Sequence, residues 1–116
     1  MTKKRPKVLN GKTEKILTGC GNLYITINND EGGEPCEVRL QIGKSGSCAR
    51  SLLEVIGIQQ SIMLQHIDKE VIVADLKKHL RGVSCGQEFR LEDKRYSSCI
   101  DKIAQRILVE LKEEAE

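Results

Sequence analysis

The sequence predicts an α+β fold, a three-stranded antiparallel β-meander packed against about three helices. Two observations carry that prediction. Up to residue 42 the apolar residues alternate with period two, and beyond residue 48 they recur at helical spacing. A third observation bears on what the fold holds: the 116-residue chain contains five cysteines. The apolar fraction is 39 %, and Tyr24, Phe89 and Tyr96 are the whole aromatic complement. The core must therefore be built from Ile, Leu and Val. One domain suffices for this length.

The domain is expected over residues 13–111. Residues 1–12 read as a disordered basic tail, with Pro6, Gly11 and the cations Lys3, Lys4, Arg5 and Lys7. Residues 112–116, KEEAE, read as a solvated end. Three strand-like runs follow the tail: TEKILTG (13–19), NLYITIN (22–28) and PCEVRLQI (35–42). Gly-Cys-Gly at 19–21 and NDEGGEP at 29–35 supply the turns. Leu23, Ile25 and Ile27 share one face of the second run. Cys36, Val38, Leu40 and Ile42 share the inner face of the third, leaving Glu37, Arg39 and Gln41 to water.

Leu52, Leu53, Val55, Ile56, Ile58, Ile62 and Met63 then cover most of a helix circumference. A helix that is apolar nearly all round is buried, so this one is expected at the centre of the sheet, with Gly57 allowing close approach. Asp68 reads as the N-cap of a second helix whose apolar line is Ile72, Leu76 and Leu80, ending near Gly82. Residues 83–96 read as a loop. The last helix starts near Ser98, where Asp101 three residues on makes a variant capping box. Ile100, Ile103, Ile107 and Leu111 form its buried stripe.

The stretch GKSGSC (43–48) carries a Gly-Lys-Ser triplet before a helix. A P-loop needs a glycine five positions earlier, and Val38 stands there, inside a strand. The stretch is a strand-to-helix turn. The formal charge of +2 is too small to argue for nucleic acid, and the scarcity of aromatics removes base stacking as a binding mode. The basic tail leaves nucleic-acid binding as a remote alternative. No apolar run is long enough for a membrane span, and the basic start is not followed by an apolar signal core. A cytoplasmic chain is expected, in which stable disulfides are not.

Four cysteines, Cys20, Cys48, Cys85 and Cys99, fall at element ends, in a hairpin turn, a loop and two helix starts. Cys36 alone lies mid-strand and faces inward, which makes it a core residue. Four thiolates from loops and helix starts suit a tetrahedral zinc, and helix N-termini favour the thiolate form at Cys48 and Cys99. No CxxC pair occurs, however. From the residues alone, a four-cysteine zinc site and a set of buried reduced thiols both stand.

The blocks TGCGNLYITIN (18–28), EVRLQIGKSGSC (37–48), LRGVSC (80–85) and SSCIDKIAQRI (97–107) together resemble the TSCPD domain family. That domain occurs at the C-terminal end of adenosylcobalamin-dependent ribonucleotide reductases and as short stand-alone proteins. The resemblance implies one structural zinc ion held by Cys20, Cys48, Cys85 and Cys99, with Cys36 outside the set. The name-giving segment departs from the family pattern, reading Ser97-Ser98-Cys99-Ile100-Asp101 with isoleucine in place of proline.

The function expected is a structural zinc-binding module, an accessory or interaction domain related to ribonucleotide reductase and deoxyribonucleotide synthesis, with a ribonucleotide reductase or another protein as its partner. The alternative is a redox or regulatory component acting directly in ribonucleotide reduction. No cysteine follows Cys99, which speaks against a thiol shuttle at the C-terminal end. A self-contained reductase is excluded by size. Four sulfur ligands would leave a zinc ion no open position for catalysis, and His66 and His79 read as surface residues without an acid–base partner. Oligomeric state is not legible.

Overall fold

The computed structural model describes residues 7–43, 48–86 and 88–112. Most of the basic tail, the middle of GKSGSC and the acidic end fall outside the described residues. Three antiparallel strands form one sheet in the order β1 (Asn10–Thr18), β2 (Gly21–Asn29) and β3 (Pro35–Ile42). Helix α1 (Cys48–His66) follows. Then comes α2 (Lys69–Asp75), which runs on into a π-helical turn, Leu76–Leu80. A small hairpin, β4 (Phe89–Leu91) and β5 (Lys94–Tyr96), leads into α3 (Cys99–Glu110). This is the expected α+β fold, with a second, two-stranded sheet added.

The period-two reading places the inner face correctly. Ile16, Leu23, Ile25, Ile27, Cys36, Val38, Leu40 and Ile42 are all buried. Strand β1 begins at Asn10, three residues inside the stretch expected to be tail. Gly11 makes that extension possible: a Cβ there would collide with the Ile27 carbonyl oxygen and the Asn28 backbone.

The position of α1 corrects the sequence reading. It does not cross the centre of the sheet but lies along the edge strand β3. Ser61 Oγ accepts the Val38 N–H at 2.8 Å and lies 2.8 Å from the Gly57 carbonyl and 3.1 Å from that of Val38. Gln65 Nε2 donates to the Cys36 carbonyl at 2.9 Å. A Cβ on Gly57 would sit 3.1 Å from the Val38 carbonyl oxygen, so glycine is what lets the helix come this near. Side chains of α1 thus satisfy backbone groups that an edge strand otherwise leaves open. The central place belongs to α3, whose Ile103, Ala104, Ile107 and Leu108 are fully enclosed. Replacing Ser61 by alanine would orphan the Val38 N–H. The expected loss is about 1 kcal/mol, read by urea denaturation; an unchanged midpoint would deny the hydroxyl this role.

Residues 83–96 are not simply a loop. Glu92 and Asp93 both have positive φ, 49° and 69°, the backbone of a type I′ hairpin turn. Phe89 and Tyr96 stack across the hairpin with ring centroids 5.5 Å apart. Tyr96 is buried beside β1, with Leu17, Leu91 and Lys102 around it. The hairpin therefore fixes where Ser97 leaves it, and so where α3 begins.

Candidate metal centre

Cys20 lies in the two-residue turn that joins β1 to β2, as the pairing of Thr18 with Gly21 requires. Thr18 shapes that turn. Its hydroxyl accepts the Cys20 N–H at 3.0 Å and donates to the Gly21 carbonyl at 2.8 Å, a local side-chain turn of the kind Ser and Thr form. The same hydroxyl receives the Cys99 thiol at 3.3 Å. One threonine thus couples the first hairpin to the first residue of α3, across nearly the whole sequence.

Cys99 is positioned by its own cap. Ser98, at the N-cap, accepts the Asp101 N–H at 3.1 Å. Its hydroxyl also donates to the Val83 carbonyl. The capping box expected from sequence is half formed, because the Asp101 carboxyl reaches elsewhere. Oδ2 accepts the Ser97 N–H at 2.9 Å, one residue before the cap. Oδ1 accepts the Gly82 N–H at 2.7 Å and the Gln105 amide at 2.8 Å. Gly82 holds φ at 86°, which no side chain adopts cheaply. The Cys85 N–H completes the strap at 3.4 Å from the Ser97 carbonyl.

These bonds bring three of the four predicted ligands together. The Cys20 thiol is pushed up to about 11 by burial of the sulfur, then by the Cys99 and Cys85 thiols and their hydrogen bonds. The Cys20 and Cys85 residues as a whole are exposed, and Cys99 is buried. Cys48 opens α1 as an exposed residue directly after residues 44–47, and it is not among the groups acting on Cys20. Cys36 is fully buried in the sheet core and stands apart from the cluster. Among the described residues, no set of three or more His, Cys, Asp or Glu side chains is arranged to hold a metal ion as it stands. The cluster is one of hydrogen-bonded thiols rather than a finished cage. His66 and His79 lie at the surface, as expected.

The donor set fits a soft, thiolate-binding cation. Neighbouring thiols resist losing their protons because each new negative charge repels the next, and a divalent ion removes that penalty.

Sequence reasoning assigns Asp101 to capping alone and gives Thr18 no role. The Thr-x-Cys spacing of a side-chain turn is the legible signal for Thr18. Asp101 has none beyond its distance from Ser98, because its decisive partner is the backbone of Gly82.

A family model described as the TSCPD domain matches residues 1–111 of the chain. No curated protein and no solved structure matches it. Among the described residues no helix is long and apolar enough to cross a membrane.

Proposed function

The chain belongs to the TSCPD domain family, and from that premise we propose that it is a structural zinc-binding module. Cys20, Cys85 and Cys99 would hold the ion with Cys48 as the fourth sulfur, and the ion would cross-link the first hairpin, the starts of α1 and α3, and the segment before β4. The observation that carries this reading is the convergence of Cys20, Cys85 and Cys99 from distant parts of the sequence. A closed four-sulfur shell supplies folding energy rather than catalysis. The protein's work would then be to present a surface, in the cytoplasm, to a ribonucleotide reductase or another protein of deoxyribonucleotide synthesis.

Elemental analysis of the purified protein tests the reading. One zinc per chain is expected, with four thiols released to a thiol reagent on chelation and Cys36 silent until unfolding. No metal, with several thiols reactive from the start, would replace the zinc reading by thiol redox chemistry. The pH dependence is a second check. With no cation beside it Cys20 keeps its proton up to about 11, so zinc must displace that proton at neutral pH. Affinity should rise with pH by about tenfold per unit, or more, across roughly pH 6 to 8. A competition titration showing pH-independent affinity would exclude Cys20 as a ligand.

A further inference from the structure

We infer that Cys20 and Cys85 are an oxidation site: a peroxide converts the pair to an intramolecular disulfide, and an ion held by the cluster leaves as that disulfide forms. The disulfide rests on the thiol cluster alone. The release of the ion rests also on the zinc reading.

The three clustered sulfurs are not equivalent. The Cys20 side chain is hydrogen-bonded to those of both Cys85 and Cys99. Cys99 is only 8 % exposed, and its thiol is engaged by the Thr18 hydroxyl at 3.3 Å. Cys20 and Cys85 are exposed residues. Oxidation of cysteine follows access, so a small oxidant from solvent meets the Cys20–Cys85 pair before the third thiol. Cys48 is exposed too, but it is not among the groups that touch Cys20. Cys36 is enclosed in the sheet core.

Both backbones are held where the two side chains already meet. The Cys20 N–H is accepted by the Thr18 hydroxyl at 3.0 Å, and the Cys85 N–H lies 3.4 Å from the Ser97 carbonyl oxygen. A disulfide needs its sulfurs about 2 Å apart, so the two side chains must rotate towards each other. There is room for that movement. Gly21 and Gly86 follow the two cysteines, and a Cβ on either would meet nothing within 4 Å.

The step balances with hydrogen peroxide as the oxidant. The Cys20 sulfur is itself partly covered, so the first attack falls to Cys85. Its sulfur takes one peroxide oxygen, the O–O bond breaks, and the thiol proton leaves with the other oxygen as water. The Cys85 sulfenic acid then lies against the Cys20 thiol. The Cys20 sulfur bonds to the Cys85 sulfur, the S–O bond breaks, and the Cys20 proton leaves with the hydroxide as a second water. Two thiols are oxidised and one peroxide is reduced. Where zinc has already displaced the two protons, solvent supplies them. With Cys20 and Cys85 joined, the ion would keep only Cys48 and Cys99, and an open two-sulfur site releases it. The disulfide ties the β1–β2 turn to the segment before β4, so the fold persists without the ion.

Peptide mapping by mass spectrometry tests the inference, on the full chain treated with hydrogen peroxide as purified and again after chelation. One Cys20–Cys85 disulfide per chain is expected in both samples, with two free thiols lost and both restored by dithiothreitol. In the zinc-loaded sample, a metal-sensitive dye should register the ion in step with the thiol loss. Cys48→Ser should leave the disulfide unchanged, and Cys85→Ser should abolish it. Should Cys85→Ser lose its circular dichroism, the wild-type map and Cys48→Ser still decide. Cys20–Cys99 links as frequent as Cys20–Cys85, links to Cys48, cross-links between chains, or sulfinic acid without a disulfide would each overturn the inference. A disulfide that forms only after chelation overturns the coupled release. A chain purified without zinc that still joins Cys20 to Cys85 removes the zinc reading and upholds the oxidation site.

Discussion

On the proposed zinc reading, Cys85→Ser is expected to remove the metal and lower the melting temperature together. Serine offers no thiolate, and three sulfurs leave the zinc shell open to water and chelators. An ion present at a thousandfold its dissociation constant contributes about 4 kcal/mol to stability. For a domain of this size that corresponds to a fall of roughly 20 °C. Cys99→Ser and Cys20→Ser should behave alike. Cys36→Ser is the control that gives the result its meaning. Cys36 is fully buried in the sheet, so a hydroxyl there costs about 1–3 kcal/mol, yet the metal content should remain at one per chain. Both variants should melt early, and on that reading only Cys85→Ser should lose zinc. Equal metal loss from Cys85→Ser and Cys36→Ser would sink the distinction between a ligand set and a core thiol.

That distinction is already visible in strand parity. Cys36 shares its face with Val38, Leu40 and Ile42, and side chains two apart on a strand must point the same way. The sheet as a whole is legible for the same reason. Helix α1 is not, because hydrophobic periodicity reports how much of a circumference is apolar, not which part of it another element covers. Leu52 and Leu53 look equivalent in the sequence; the structure leaves the first exposed and buries the second. What decides between them is Gly57 and Ser61, which fit α1 to the edge of β3. The β4–β5 hairpin escapes a sequence reading because its strands have three residues each and its turn, Glu92-Asp93, uses positive φ without the glycine that signals it. The four outlying cysteines are legible as residues at element ends. The meeting of three of them is not, because a hydrogen-bond network between segments far apart in sequence leaves no periodic trace.

Asp101 is where that network is most exposed to attack, and its replacement should cost nearly as much as loss of a ligand. The carboxyl is 3 % exposed, and its two oxygens take three donors, the backbone N–H groups of Gly82 and Ser97 and the side-chain amide of Gln105. Asp101→Ala leaves all three unpaired in a buried site, at about 1–3 kcal/mol each before relaxation, so a net loss of about 3 kcal/mol is expected. Asp101→Asn is the more telling variant. Asparagine has the same shape, but whichever way its amide turns, an NH₂ group faces an N–H donor where an oxygen had accepted. Shape alone should therefore rescue little, and Asn should fall close to Ala. On the proposed zinc reading, in which Asp101 is not a ligand, both variants should also weaken metal binding. Asp101 ties the Gly82 turn, from which the chain runs to Cys85, to Ser97, two residues before Cys99, and slack between those segments must be removed when the ion draws them together. The expected signature is a stability loss that persists in chelator, with zinc affinity reduced but stoichiometry kept at one. If Asp101→Asn matches the wild type in chelator, the carboxyl does not hold the two segments. If it abolishes metal binding while stability in chelator is intact, Asp101 belongs in the coordination shell itself.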